Sequence, residues 1–101
     1  MAQVYTISDV QHKLSSLPLD KRVKRIVLFG SHAKGNAQEQ SDLDFYVDSN
    51  RQLTGFSFFF LKGQLEDAFH RDIDLIPDVD VIPDSKVDLE IRRTGVTVYG
   101  D

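Results

Sequence analysis

Apolar and polar residues change period several times along the chain, and each change marks a new element. Ser8 and Gln11 frame a capping box that predicts a short helix through Leu17, with Val10 and Leu14 on one face and Pro18 as its stop. Val23 to Phe29 runs from a charged rim at Lys24 and Arg25 into the wholly apolar Ile26-Val27-Leu28-Phe29, the pattern of a buried strand. A polar connection, Asn36 to Gln40, leads to Asp42–Val47, which alternates: Asp42, Asp44 and Tyr46 face one way, Leu43, Phe45 and Val47 the other. Thr54 to His70 predicts the longest helix, striped by Phe58, Leu61, Leu65, Ala68 and Phe69. Phe56, Phe59 and Phe60 widen its apolar arc beyond what one sheet face requires, as expected either of a deeply buried helix or of a partner face. Asp72 to Ile76 predicts a third strand ended by Pro77, with Ile73, Leu75 and Pro77 alternating against Asp72, Asp74 and Ile76. Asp78 to Asp84 reads as an acidic loop. Ser85 reads as the cap of a helix to Arg93 stopped by Gly95, and Val96 to Tyr99 as a last strand. Strands and helices in this succession predict an α/β fold.

The chain has 101 residues, enough for one compact domain spanning 1–101 and too few for two. With 41% hydrophobic residues a core can form, but a domain of this size is marginal alone and gains from a partner surface. A formal net charge of -4 argues against direct nucleic-acid binding, which needs a basic face, though not against a nucleotide carried with its own metal ions. The absence of cysteine rules out disulfides and thiolate metal sites. No apolar run is long enough for a bilayer, since Phe58-Phe59-Phe60-Leu61 is interrupted by Lys62, and the amino terminus has no signal-peptide pattern. A cytoplasmic protein with no membrane contact is expected. His12 and His70 have no ligand-spaced companions and read as surface histidines. Asp78, Asp80, Asp84 and Asp88 lack the calcium-loop pattern and read as a solvated edge suited to a basic partner.

The chemistry concentrates in Gly30-Ser31-His32-Ala33-Lys34-Gly35 and Ser41-Asp42-Leu43-Asp44. Gly30 lets the backbone turn sharply after the strand. Ser31 opens a helical turn whose free N–H groups and hydroxyl suit an anion, Lys34 adds a positive charge, and Gly35 leaves room for the chain to pass. Asp42 and Asp44 share a strand face with α-carbons about 6–7 Å apart. Two carboxylates so placed repel unless a cation lies between them, and Mg2+ suits the role because it takes oxygen ligands and keeps positions open for water and phosphate. Either half alone is commonplace: Gly-Ser is most often a turn, and an isolated D-x-D most often an exposed strand edge. Asp74 is the third candidate, preferred over Asp72 because it sits centrally in an apolar strand. If that strand lies beside the second, three acids can hold two metal ions for an in-line displacement, and Asp74 can also accept a proton from the attacking hydroxyl.

Together, Gly30-Ser31-x-Ala33-x-Gly35, Ser41-Asp42-x-Asp44 and Asp74 resemble the minimal nucleotidyltransferase domain of the DNA polymerase beta superfamily. The resemblance runs from about Val23 to Tyr99 and includes the ending Ile91-Arg92-Arg93-Thr94-Gly95-Val96-Thr97-Val98-Tyr99. It implies a small mixed β-sheet of three to four strands flanked by helices, Mg2+ as cofactor, and transfer of a nucleoside monophosphate from ATP or another nucleoside triphosphate. By position it implies Gly30, Ser31, Lys34, Gly35 and Ser41 at the nucleotide, and Asp42, Asp44 and Asp74 as metal-binding catalytic acids. Small members of this kind are often antitoxins paired with an HEPN-type ribonuclease toxin, and some adenylylate a tyrosine of that toxin. The chain departs from the usual pattern at two positions where arginine is common, carrying His32 and Lys34 instead. Lysine keeps the charge but loses the bidentate fork, and histidine is largely neutral at pH 7 unless phosphate raises its pKa.

The expectation is therefore an Mg-dependent adenylyltransferase. A chain ending just after its last strand is expected to take its hydroxyl acceptor from another molecule, which favours a protein over an aminoglycoside-type small molecule. The competing expectation is a non-catalytic module that neutralises a toxin, or self-associates, through the phenylalanine-rich helix.

Overall fold

The order of the elements follows from where the chain can satisfy its backbone. The computed structural model describes residues 5–35 and 42–100. Helix α1 (Ile7–Ser15) is capped by Thr6, not Ser8: the Thr6 hydroxyl accepts from the Asp9 N–H at 3.0 Å and the Asp9 carboxylate accepts from the Thr6 N–H at 3.0 Å. That reciprocal pair satisfies two otherwise orphaned donors, which the Ser8–Gln11 register does not. The helix stops two residues short of Leu17, with Ser16 as its C-cap. Strand β1 (Arg25–Phe29) starts later than the apolar pattern suggests, because the Val23 N–H closes a turn onto the Asp20 carbonyl at 3.0 Å.

After β1 come the short helix α2 (Ser31–Lys34), strand β2 (Leu43–Asp48), helix α3 (Phe56–Phe69), strand β3 (Ile73–Pro77), a 3-10 turn at Asp78–Asp80, helix α4 (Lys86–Thr94) and strand β4 (Val96–Gly100). The 3-10 turn falls inside the stretch expected as loop. Ser85 caps α4 by accepting from the Asp88 N–H at 3.2 Å, and Gly95 follows its last turn, both as the sequence predicts. The expected connection Asn36–Gln40 lies outside the described residues.

The four strands form one mixed sheet in the order β3-β2-β1-β4. β1 pairs antiparallel with β2 and with β4, and β2 pairs parallel with β3. Parallel neighbours need a crossover, which α3 supplies. Helices α1 and α3 cover one sheet face: Val10, Leu14, Leu61, Leu65 and Phe69 pack with Ile26, Leu28, Leu43, Phe45, Val47, Leu75 and Val98 in one apolar cluster. Phe45 is fully buried and meets Phe69 at 5.8 Å between ring centroids, so truncation to alanine costs about 3–5 kcal/mol. The opposite face is only partly covered, by α4 against β1. There β2 and β3 present Asp44, Tyr46, Asp74 and Ile76, the alternation the sequence predicts.

Helix α3 is not deeply buried all round. Leu61, Leu65 and Phe69 enter the core, whereas Phe56, Phe59 and Phe60 are 94%, 67% and 70% exposed. Among the described residues no helix is long and apolar enough to cross a membrane.

Candidate active site

Gly30 ends β1 with φ +77°, a left-handed conformation that side chains resist, and a Cβ there would collide with Oδ2 of Asp44. The missing side chain thus lets the turn lie directly against a carboxylate. The Gly30 N–H donates to Thr94 Oγ1 at 3.3 Å, and that hydroxyl donates to the Glu90 carbonyl at 2.8 Å, so the last turn of α4 holds the loop. Ser31 opens α2, and Lys34, exposed at its end, pairs with Glu90 at 3.0 Å. Gly35 closes α2 at φ +79°. A Cβ on it would meet nothing within 4 Å among the described residues, so among these only the backbone angle calls for glycine. Ser41 lies outside the described residues.

The parallel register sets Asp44 of β2 directly beside Asp74 of β3. Asp42 is exposed just ahead of β2, and its charge acts on Asp44. Asp72 is exposed just before β3. Asp74 is also exposed, not enclosed by its apolar strand as expected, and what sets it apart from Asp72 is its register with Asp44. Asp44 is pushed up from 3.8 to about 6, chiefly by burial and then by the charges of Asp74, Asp42 and Glu90. Among the described residues no three histidine, cysteine, aspartate or glutamate side chains are gathered around one point at ligand spacing. The carboxylates share a face and a field, not a closed cage. Their chemistry fits a hard divalent ion: every donor is an oxygen, and the raised Asp44 marks a demand for positive charge that a cation would meet.

His32, at a position where arginine is common, turns inward. It is 4% exposed, with Nδ1 at 3.2 Å from the Asp42 carbonyl and Nε2 at 3.5 Å from Arg71 Nη1. An arginine N–H can only donate, so Nε2 accepts and the Nδ1–H donates to Asp42. Burial pulls the His32 pKa below its ordinary value, opposed by the Asp42 bond and reinforced by the Arg71 charge. A neutral imidazole thereby links α2 to the residues preceding β2 and β3. Arg71 also lies 5.0 Å over the Tyr5 ring, whose hydroxyl donates to the Phe69 carbonyl at 2.8 Å. Glu90 and Arg71 carry no motif signal and are found only through the fold, whereas Thr94 belongs to the ending Ile91–Tyr99 that the resemblance includes. His12 and His70, which read as unrelated surface residues, line one shallow cavity of about 510 Å³ with Tyr5, Asp9, Lys13 and Ser16.

Comparison with known proteins identifies the family and the fold. The family model described as "Polymerase beta, Nucleotidyltransferase" matches residues 12–101. Two Methanocaldococcus jannaschii proteins named "Putative protein adenylyltransferase", MJ1215 and MJ1379, are 33% and 34% identical to the chain. The first match covers 70% of this chain and 87% of the relative, the second 75% and 79%. Among solved structures, a toxin-antitoxin crystallised with AMP-PNP superposes with a TM-score of 0.73 at 24% identity, covering 90% of this chain and 73% of that one. A complex of tri-AMPylated Shewanella oneidensis HEPN toxin with MNT antitoxin gives 0.63 at 20%, covering 95% and 74%. At these identities the structural likeness is one of fold.

Proposed function

Because the chain belongs to the polymerase beta nucleotidyltransferase family, we propose that it transfers AMP from ATP to a hydroxyl of a protein acceptor, and that the acceptor is an HEPN-type toxin which it restrains as an antitoxin. One observation carries the reading: Asp44 lies in register with Asp74 and against the Gly30 turn, so two of the acids and the glycine loop are immediate neighbours. The names of the relatives support a protein acceptor, and the toxin-antitoxin neighbours support the partner class. A cytoplasmic site of action belongs to the same reading.

Asp42, Asp44 and Asp74 would hold Mg2+, in one or two ions. Bound there, Mg2+ would neutralise charge on the triphosphate and on the departing pyrophosphate. The chain's own residues supply the rest. Gly30 admits the phosphates close to the backbone, Ser31 and Lys34 contact them, and Gly35 and Ser41 join the nucleotide set by motif position. The acceptor oxygen forms its bond to the α-phosphorus as the bond to pyrophosphate breaks, and Asp74, open to solvent, takes the acceptor's proton. His32 acts at one remove by fixing the Asp42 backbone.

Incubation with α-labelled ATP, Mg2+ and an HEPN-type partner tests this. Label should pass to the partner with wild type and vanish with Asp44→Ala; equal labelling, or none with either, contradicts transfer. The exposed Phe56, Phe59 and Phe60 favour a second reading, neutralisation by contact alone. In that case Asp44→Ala still silences the toxin, whereas polar substitutions of these phenylalanines do not.

A further inference from the structure

We propose that Glu90 is a built-in competitor of the triphosphate, holding Lys34 in an ion pair that a bound nucleotide must break, and so sets nucleotide affinity. The inference rests on the nucleotide-binding reading above and adds a residue that no motif position names. The Lys34 ammonium lies 3.0 Å from Glu90 Oε1, with the two side chains 43% and 35% exposed, so the pair is neither freely solvated nor sealed from an entering anion. Glu90 is not a loosely placed surface acid. Its own carbonyl accepts from Thr94 Oγ1, which in turn accepts from the Gly30 N–H, so α4 is fixed to the phosphate loop at the turn where phosphate would lie. Its charge also acts on Asp44, within the same field as Asp42 and Asp74.

An arriving triphosphate therefore meets a lysine already neutralised and a fourth carboxylate among the acids. Exchange of Glu90 for phosphate at Lys34 leaves the glutamate unpaired, which opposes binding. Lysine suits such an exchange, because a point charge moves between partners without the fixed fork that arginine would have to realign. The pair discriminates by charge: a ligand without phosphate has no reason to break it.

Calorimetric titration of the full chain with ATP and Mg2+, and separately with adenosine, tests the proposal in wild type, Glu90→Gln, Lys34→Met and the double variant. Glu90→Gln should tighten ATP about two- to fivefold, the range open to a half-exposed pair, and leave adenosine unchanged. Lys34→Met should weaken ATP, and on that background Glu90→Gln should gain less. Glu90→Ala, a good helix former at the same position, should move ATP affinity in the same direction, which guards against one ill-folded variant. Unchanged or weaker ATP binding by both Glu90 variants overturns the proposal while leaving the nucleotide reading intact, and weaker binding would make Glu90 an ally of the metal site. Equal gains for adenosine, or an undiminished gain without Lys34, also overturn it. Wild type that binds no ATP removes the nucleotide reading and this inference with it.

Discussion

Replacing Asp44 with asparagine should stabilise the metal-free protein while ending transfer. The Asp44 carboxyl is raised from 3.8 to about 6, first by burial and then by Asp74, Asp42 and Glu90. A shift of about two units corresponds to about 3 kcal/mol at about 1.4 kcal/mol per unit. Asp44 is only half-buried, so solvent screening reduces the usable figure to about 1–2 kcal/mol. A carboxyl raised on folding favours the protonated native state. Its contribution is therefore complete below pH 3.8 and is lost as pH rises through about 6. Asparagine keeps the shape and never takes the charge. In chelator, Asp44→Asn should match wild type in melting temperature near pH 4 and exceed it by several degrees at pH 7, at about 4–8 °C per kcal/mol for a domain of this size. Taking the difference between the two proteins cancels the opposite pH trends of Asp9, Asp20 and Asp88, whose hydrogen bonds hold them low. Added Mg2+ should then raise wild type more than the variant. A difference that is absent at pH 7, or that shrinks between pH 4 and 7, would refute the electrostatic account of Asp44.

Gly30→Ala forces a Cβ into the Asp44 carboxylate at φ +77°, so urea denaturation should show a loss of roughly 1–3 kcal/mol, with transfer abolished. His32→Ala removes a buried ring and the bond to the Asp42 carbonyl. It should cost about 2–3 kcal/mol and raise the Mg2+ concentration needed for half-maximal transfer, which a purely structural loss would leave alone in the folded fraction. Substituting Phe56, Phe59 and Phe60 with serine should keep each variant's unfolding free energy within about 0.5 kcal/mol of wild type and weaken pull-down of an HEPN-type partner; retention of full binding would free this face of any docking role.

The strand periods were legible because a half-buried sheet enforces alternation. Leu43, Phe45 and Val47 fall into the core and Asp44 and Tyr46 out of it, whereas the alternation left open which strands pair, and the parallel register is what sets Asp74 beside Asp44. The start of α1 was not legible, since Ser8–Gln11 and Thr6–Asp9 both satisfy the capping pattern. The choice is made by packing, which draws Tyr5 onto Phe69 through a ring contact at 5.1 Å and a hydrogen bond. The phenylalanine-rich helix was ambiguous for a related reason: apolar residues on nearly every side give little direction, so only tertiary contact decides that Leu61 and Leu65 enter the core and Phe56 stays out. The inward turn of His32 was not legible, because a motif position says which loop a residue occupies and not which way it points. Glu90 was invisible altogether, one acid on an amphipathic helix until α4 docks against Gly30.

A crystal structure grown with Mn2+ and a non-hydrolysable ATP analogue tests the central claim most directly. The account predicts an anomalous peak ligated by Asp44 and Asp74, with the triphosphate lying along Gly30, Ser31 and Lys34. A nucleotide seated elsewhere, or an ion that leaves Asp74 out of its coordination, would contradict it.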